Sequence, residues 1–225
     1  MKKTLPRIAL GLAILFLFLG HAGKQWNLPF ITVLDNYFYD VRLRLFMPET
    51  VDERIVIVDI DEKSLSEVGH WPWSRNTVAK LLQRITDDYG AAIVGLDIVF
   101  AEPDESSGLP IFDSLGRREF RHDAHFQRIL ESLRTSLDYD GMLARTLQNR
   151  PIILGYYFSN SAQARKGGAL PAPVFTRGQF NYPDQFVSWR GYGANLPEFQ
   201  KAAAGAGHFN PLVDFDGSTR RVPLV

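Results

Sequence analysis

Three aspartates near the ends of two predicted strands are the residues best placed for chemistry. Asp59 and Asp61 close an apolar run that begins at Ile55, and Asp97 lies within a second run, "AAIVGLDIVF". Ligands of open α/β sheets bind where parallel strands end. Because side chains two residues apart share one face of a regular strand, Asp59 and Asp61 are expected on the same side of the sheet.

Three roles are open for these carboxylates. The first is catalysis, with Asp59 as the nucleophile of a phosphohydrolase, since haloacid-dehalogenase-type phosphotransferases begin with a strand and Asp-x-Asp-Gly-Thr. Here Glu62-Lys63-Ser64 follow Asp61, so the Gly-Thr pair is missing, and no downstream lysine and acidic motif is evident. The second is a magnesium site without catalysis. The third is structural, with one aspartate capping a turn and another paired with an arginine.

The segment "WPWSR" supplies the candidate arginine, Arg75, at the start of a predicted helix that crosses between the two acidic strands. Trp71 and Trp73 either form an aromatic wall for a ligand or pack the loop onto the domain, and packing is favoured. A structural network of acids and an arginine explains this set as well as a binding site does. The candidate ligand site, suited to a small polar or cationic ligand, consists of Asp59, Asp61, Arg75, Asp97, Trp71 and Trp73.

The histidines do not form a recognisable metal motif. His122 and His125 flank Asp123 on a predicted helix without a second ligand pair, so a solvated charged face is favoured. The sequence contains no nucleophile elbow, phosphate-binding loop, dinucleotide fingerprint or His-Glu-x-x-His motif. We assign no catalytic residue, no metal and no cofactor.

Composition narrows the class of protein. The 225 residues include 25 Lys plus Arg and 25 Asp plus Glu. This balance argues against a nucleic-acid partner, because proteins that bind nucleic acids usually have an excess of basic residues on their surface. Hydrophobic residues make up 45% of the chain, which is enough for a sizeable core. Cysteine is absent, which excludes disulfides and thiolate catalysis.

The N-terminus has the pattern of an export segment. Residues 1–7 carry three positive charges, residues 8–20 contain no polar side chain, and no acid precedes Asp35. We predict a cytoplasmic N-terminus over residues 1–7 and a transmembrane anchor over residues 8–23, with the remainder outside the cytoplasm. A cleaved signal peptide is the alternative, since Gly20 and Ala22 have the spacing of a signal-peptidase site.

The remaining pattern predicts an α/β fold, with a central, largely parallel sheet, flanking helices and a C-terminal β-hairpin through Asp216-Gly217. Residues 55–60 and 91–100 read as parallel strands joined by a helix that Ser74 or Asn76 caps. The chain stops in mid-strand, so a domain over residues 33–225 is expected to be truncated at its C-terminal end. Further elements are a helix over 33–46, helical patterns near 126–133 and 143–147, and a strand over 151–158; residues 105–138 and 169–205 receive no role.

Several stretches in one order resemble the second CHASE family, the cyclases/histidine kinases associated sensory extracellular domains. The resemblance runs from about residue 33 to the end of the chain and finds no counterpart between residues 105 and 138. The stretches are "YDVRLR", "IVIVDIDEKSL", "GHWPWSR", "GAAIVGLDIVFAEPD", "DGMLARTL" and "GHFNPLVDFDGSTRRVPL".

The resemblance implies a sensory module outside the bacterial inner membrane, in the periplasm. In that family a few transmembrane helices and a cytoplasmic output domain follow, such as an adenylate, guanylate or diguanylate cyclase or a kinase. Catalytic activity of the parent protein would then lie outside these residues. The resemblance favours a retained anchor but identifies no ligand.

We therefore expect a membrane-anchored sensor that passes ligand occupancy or protein contact to a cytoplasmic enzyme. The expected partners are a small-molecule or protein ligand and the membrane, with a homodimer left open and no nucleic acid. Two alternatives are a periplasmic hydrolase with an aspartate nucleophile and a non-signalling interaction module of the cell envelope.

Overall fold

The computed structural model of the chain describes residues 5–23, 25–48, 50–176, 179 and 187–223. The chain divides into two compact units, Met1–Asp59 and Ile60–Val225. We call them the N-terminal unit and the C-terminal unit.

Two helices, α1 (Leu5–Ala22) and α2 (Pro29–Phe46), form most of the N-terminal unit. Pro29 lies in the first turn of α2, where backbone N–H groups have no partner within the helix, so the missing N–H of proline costs no hydrogen bond. The helix predicted over residues 33–46 is confirmed and begins earlier than its apolar pattern. At the end of α1, a Cβ on Gly20 would lie 1.9 Å from the ring of Trp26, so only glycine admits that indole.

Among the described residues, no helix has both the length and the hydropathy that a membrane crossing requires. The anchor over residues 8–23, the cytoplasmic segment 1–7 and the alternative of a cleaved signal peptide stay predictions.

The strand predicted over residues 55–60 is not formed, and the βαβ unit built on it is wrong. Ile55 donates its N–H to Asp52 O in a turn, and no described strand pairs with residues 55–60. Residues Ile55, Val56, Ile57 and Val58 are 59–89% exposed. A β-branched run favours a strand only where a neighbouring edge supplies the ladder bonds and the burial, and here neither is present.

The C-terminal unit is built around one sheet in which β2 is central. Strand β2 pairs in parallel with β1 and β5 and antiparallel with β4, which in turn pairs in parallel with β3. The predicted central, largely parallel sheet is therefore confirmed, although the strand expected over residues 91–100 contracts to the two residues of β1. The strands are β1 (Val94–Gly95), β2 (Ile152–Ser159), β3 (Lys166–Gly167), β4 (Gly191–Gly193) and β5 (Gly205–His208).

A separate two-stranded sheet follows, with β6 (Leu212–Val213) antiparallel to β7 (Thr219–Arg221). Gly217 has φ +80° in the turn between them, a conformation that glycine adopts without strain. The predicted C-terminal hairpin through Asp216-Gly217 is confirmed.

Helices flank the sheet, as predicted. A single π-helical turn, Arg84–Asp88, extends the helix that follows Ser74. The pattern near residues 126–133 is one helix and that near 143–147 another, while residues 105–138 also contain a helix that the sequence did not indicate. The helices of this unit are α3 (Glu62–Val68), α4 (Arg75–Gln83), α5 (Leu109–Arg117), α6 (Ala124–Leu137), α7 (Tyr139–Leu147) and α8 (Pro197–Ala202).

The core lies where α4, α7 and α8 pack against β2. Leu143 and Leu147 are four residues apart and therefore share one face of α7. Burial of such side chains stabilises the fold by about 1.5–3 kcal/mol each. The fully buried apolar side chains of the core are Leu82, Phe100, Leu143, Leu147, Ile152, Leu154 and Phe199.

One buried polar side chain, Asn195, joins three segments of this core. Its Oδ1 accepts the backbone N–H of Phe100 over 2.8 Å, and its Nδ2 donates to Gly155 O over 2.8 Å. The neighbouring Leu196 donates its N–H to Phe100 O. Because both ends of the amide are hydrogen-bonded, its burial carries no unmet polar group.

Candidate functional site

Asp61 caps helix α3. Its Oδ1 accepts the backbone N–H of Ser64 over 2.8 Å and the Ser64 hydroxyl over 2.7 Å. These hydrogen bonds, the hydroxyl first, hold the pKa of Asp61 below its usual value. This is the capping role that the structural alternative predicts for one of the aspartates.

The structure does not pair Asp61 or Asp97 with Arg75. Asp97 is exposed just after β1, and its carboxylate makes no hydrogen bond or ion pair with any described residue. Asp59 belongs to the N-terminal unit and is also exposed. Ligand binding by these acids stays a prediction.

Arg75 instead lies at the centre of a different polar network, at the first residue of α4. Its backbone N–H donates to Oδ2 of Asp104 over 2.6 Å, and its Nη2 donates to Glu102 O over 3.1 Å. Its guanidinium carbon lies 4.6 Å from the ring centre of Phe100, a cation–π distance. Nε lies 3.7 Å from Oδ1 of Asp140, within ion-pair range but too far for a hydrogen bond. The acids that pair with Arg75 are thus different from those suggested by the sequence.

Asp104 supplies the cap that α4 lacks locally. Ser74 occupies the N-cap position but makes no side-chain cap bond, and Asn76 bonds to Ser74 rather than to the helix backbone. The Asp104 carboxylate accepts the first helical N–H from a loop that is distant in sequence. A negative charge at a helix N-terminus is stabilised by the helix dipole.

The two carboxylates of this network differ in their pKa shifts. Burial raises the pKa of Asp140, and this outweighs both the hydrogen bond from Asp104 N–H and the charge of Arg75. Burial also acts to raise the pKa of Asp104, but hydrogen bonds from Arg75 N–H and Ser106 lower it overall. Asp140 in turn accepts the N–H of Asp104 over 2.9 Å. Neighbouring acids with opposite shifts are frequent at functional sites and in structural ion networks.

The two tryptophans of "WPWSR" form an edge-to-face pair with ring centres 5.8 Å apart. Trp73 donates its indole N–H to Gly69 O over 2.8 Å and packs against the core. Trp71 is exposed. Trp73 therefore has the packing role that was favoured, and a ligand contact by either ring stays a prediction.

A second ion cluster closes the C-terminal hairpin. Arg220, with a side chain 8% exposed, donates to Oδ2 of Asp214 over 2.9 Å and to both oxygens of Asp216 over 3.0 and 2.8 Å. The hydrogen bonds from Arg220, followed by that from Ser218 N–H, lower the pKa of Asp216 to about 2. This cluster braces the turn in the segment "DFDGSTRR".

Asp123 caps α6 by accepting the N–H groups of His125 and Phe126. His122 and His125 are exposed. The described residues contain no group of three or more histidines, aspartates or glutamates that could hold a metal ion.

The polar network around Arg75 connects three of the stretches that carry the family resemblance, although they are separate in sequence. Arg75 comes from "GHWPWSR", Glu102 and Asp104 from the end of "GAAIVGLDIVFAEPD", and Asp140 from "DGMLARTL". The protein-family model of the CHASE2 domain matches residues 9–225. The chain belongs to the CHASE2 domain family. CHASE2 domains are sensory extracellular domains of signalling receptors.

No curated protein and no solved structure matches this CHASE2 chain. Membership therefore rests on the family model alone, which spans both units. Three of the stretches that carry the resemblance meet at Arg75, so in this CHASE2 domain they build the loop and helix framework beside the core.

Proposed function

We propose that this chain is the extracytoplasmic sensory module of a bacterial membrane receptor that controls a cytoplasmic output domain carried elsewhere in a longer protein. The observation that carries the proposal is the CHASE2 match over residues 9–225. The output would be a nucleotide cyclase, a diguanylate cyclase or a kinase. On this proposal the chain itself performs recognition, and the reaction belongs to the output domain.

Placement across the inner membrane is part of the proposal. It is supported by the positive residues 1–7, the apolar residues 8–20 and the extracellular character of the CHASE2 family. On this arrangement the C-terminal unit faces the periplasm, and residues 8–23 hold it to the membrane.

The absence of cysteine makes a direct topology experiment straightforward. A single cysteine introduced as Ser161→Cys, in an exposed loop, should react with a membrane-impermeant maleimide in intact cells. A matched Thr4→Cys variant should react only after lysis. Labelling of Thr4→Cys but not of Ser161→Cys in intact cells would overturn the proposed orientation.

Signal transmission requires two states of the module that a ligand binds with different affinity. The Arg75 network is suited to couple such states, because it connects the start of α4, the loop after β1 and the start of α7.

Reading the coding sequence beyond Val225 tests the proposed receptor class. Hydrophobic spans followed by an output domain are expected, and a stop codon directly after Val225 would contradict a control function.

A further inference from the structure

A cleft of about 340 Å³ opens beside the second half of β2, and its described lining includes none of the residues that the sequence suggested for ligand binding. Its size falls in the lower range of small-molecule sites. Strands β2, β3, β4 and β5 each contribute a side chain to it, so the sheet fixes its shape. The lining side chains that matter here are Phe158, Lys166, Trp189, Arg190, Tyr192 and His208.

One side of the cleft is aromatic. Phe158 and Trp189 lie nearly parallel, with ring centres 6.0 Å apart and planes 14° apart. The ring of His208 lies 5.6 Å from that of Phe158. Rigid aromatic faces of this kind bind planar apolar groups with little loss of side-chain entropy.

The other feature of the cleft is positive charge that no described acid neutralises. Lys166 and Arg190 both line it, and none of the described residues that line it is an aspartate or glutamate. Neither cation forms an ion pair with a described residue. The backbone around them is held in place, since β3 pairs Lys166 with Tyr192 and Arg190 N–H donates to Asn160 Oδ1 over 3.0 Å. Two neighbouring cations on a fixed backbone favour an anionic group, most of all a carboxylate or phosphate.

His208 adds a polar atom that lacks a partner. Its Nδ1 is buried and makes no hydrogen bond within the described part of the chain, while its backbone is fixed by pairing with Tyr156 in the sheet. A buried polar atom without a partner is unfavourable, and it belongs to a residue whose ring borders the cleft.

From these three observations we propose that the cleft binds a small organic anion, a carboxylate attached to a planar aromatic or apolar body. The ring stacks beside Phe158 and Trp189, and the carboxylate lies between Lys166 and Arg190. The proposal rests on the sensory function proposed above and gives that function a ligand class. This anion differs from the small polar or cationic ligand that the acidic residues suggested.

The test uses the full chain in lipid nanodiscs, labelled with 5-fluorotryptophan, and benzoate as the probe. The chain has four tryptophans, and their ¹⁹F signals can be assigned by single Trp→Phe variants. Benzoate should shift the Trp189 signal saturably and leave those of Trp71 and Trp73 in place. Acetate lacks the ring, benzyl alcohol lacks the charge and benzylamine reverses it, so each should bind at least about tenfold more weakly.

The Lys166→Gln/Arg190→Gln double variant should weaken benzoate binding about tenfold or more, and Lys201→Gln on α8 should not change it. An unchanged Trp73 signal in both variants establishes that the fold persists. The site is overturned if millimolar benzoate produces no saturable Trp189 shift, if benzylamine binds as well as benzoate, or if the double variant binds normally. Binding is measured without any output domain, so the binding site and the sensory function are tested separately. If benzoate binds but does not change the output activity of the full receptor, the sensory function is contradicted and the binding site is not.

Discussion

In the C-terminal unit, the backbone N–H of Arg75 donates a 2.6 Å hydrogen bond to the carboxylate of Asp104, 29 residues further along the chain. The bond provides helix α4 with a cap from a distant loop, because Ser74 makes no side-chain cap bond. The same arginine bonds Glu102 O and lies over Phe100, so one side chain orders both the helix start and the segment that follows β1.

Replacing Arg75 by methionine should lower the free energy of unfolding by about 1–3 kcal/mol. The side chains of Arg75 and Asp140 are 14% and 17% exposed, so the substitution leaves a largely buried carboxylate without its cation. Urea unfolding followed by tryptophan fluorescence measures the change. Lys80→Met, on the exposed side of the same helix, should alter stability by less than about 0.5 kcal/mol. Equal effects of the two substitutions would refute a special role for Arg75.

The hairpin cluster predicts a specific acid sensitivity. The pKa of Asp216 is lowered from 3.8 to about 2 in the folded chain, mainly by hydrogen bonds from Arg220. A lowered pKa adds stability that is complete above pH 3.8 and is lost as the pH falls towards about 2. Asp216→Asn should therefore flatten the pH dependence of unfolding between these values and leave it unchanged above them. A variant as acid-sensitive as the wild type in this window would show that the Arg220 bonds do not stabilise the folded state.

Two glycines that face each other in the sheet should respond differently to alanine. Gly155 of β2 pairs with Gly207 of β5. A Cβ on Gly155 would lie 2.4 Å from Leu96 O, whereas one on Gly207 would meet nothing within 4 Å. Gly155→Ala should therefore destabilise the chain by about 1–3 kcal/mol, because strand backbone has to shift.

Gly207→Ala is the matched control and should be neutral or stabilising by up to about 1 kcal/mol. Thermal unfolding monitored by circular dichroism compares the two variants. If Gly155→Ala is tolerated as well as Gly207→Ala, the close approach of β2 to Leu96 is wrong.

The hydrolase alternative makes the opposite prediction to the sensory proposal at Asp59. We expect the purified chain to release no phosphate from p-nitrophenyl phosphate in the presence of magnesium, and Asp59→Asn to behave as the wild type. Magnesium-dependent activity that Asp59→Asn abolishes would establish the catalytic role. Asp61→Asn serves as the companion variant, because Asp61 is already engaged in capping α3.

The elements that the sequence predicted correctly are those whose signal is local. Helix α2, the helix after Ser74, strand β2 and the hairpin at Asp216-Gly217 each follow from periodicity or turn residues within a short window. The prediction that Arg75 pairs with an aspartate at a strand end is wrong, because its partners are Asp104 and Asp140. The position of Arg75 in "WPWSR", at the start of a helix, limits the residues that its side chain can contact.

The parts that the sequence did not predict depend on tertiary contacts. The bond between Asp104 and Asp140 joins residues 36 apart, and that between Phe100 and Asn195 joins residues 95 apart, so no local pattern marks them. The apolar run at residues 55–60 has strong strand propensity, but propensity does not supply a partner edge. The aromatic and cationic cleft combines residues from four strands, the segment before β4 and Pro223 after β7, which only the tertiary fold brings together.

On the proposed function, this chain controls an output domain from outside the membrane. The most direct measurement is the output activity per receptor molecule in membranes that contain the full-length protein, as wild type, Arg75→Glu or Lys80→Glu. Arg75→Glu places a negative charge beside Asp104 and Asp140 and should shift the balance of sensory states, changing output by about fivefold or more. Lys80→Glu should leave output at the wild-type level. Receptor amounts are matched, and protease sensitivity of the C-terminal unit reports whether Arg75→Glu has altered this domain. If the domain is altered and the output still equals that of the wild type, control by this domain is contradicted.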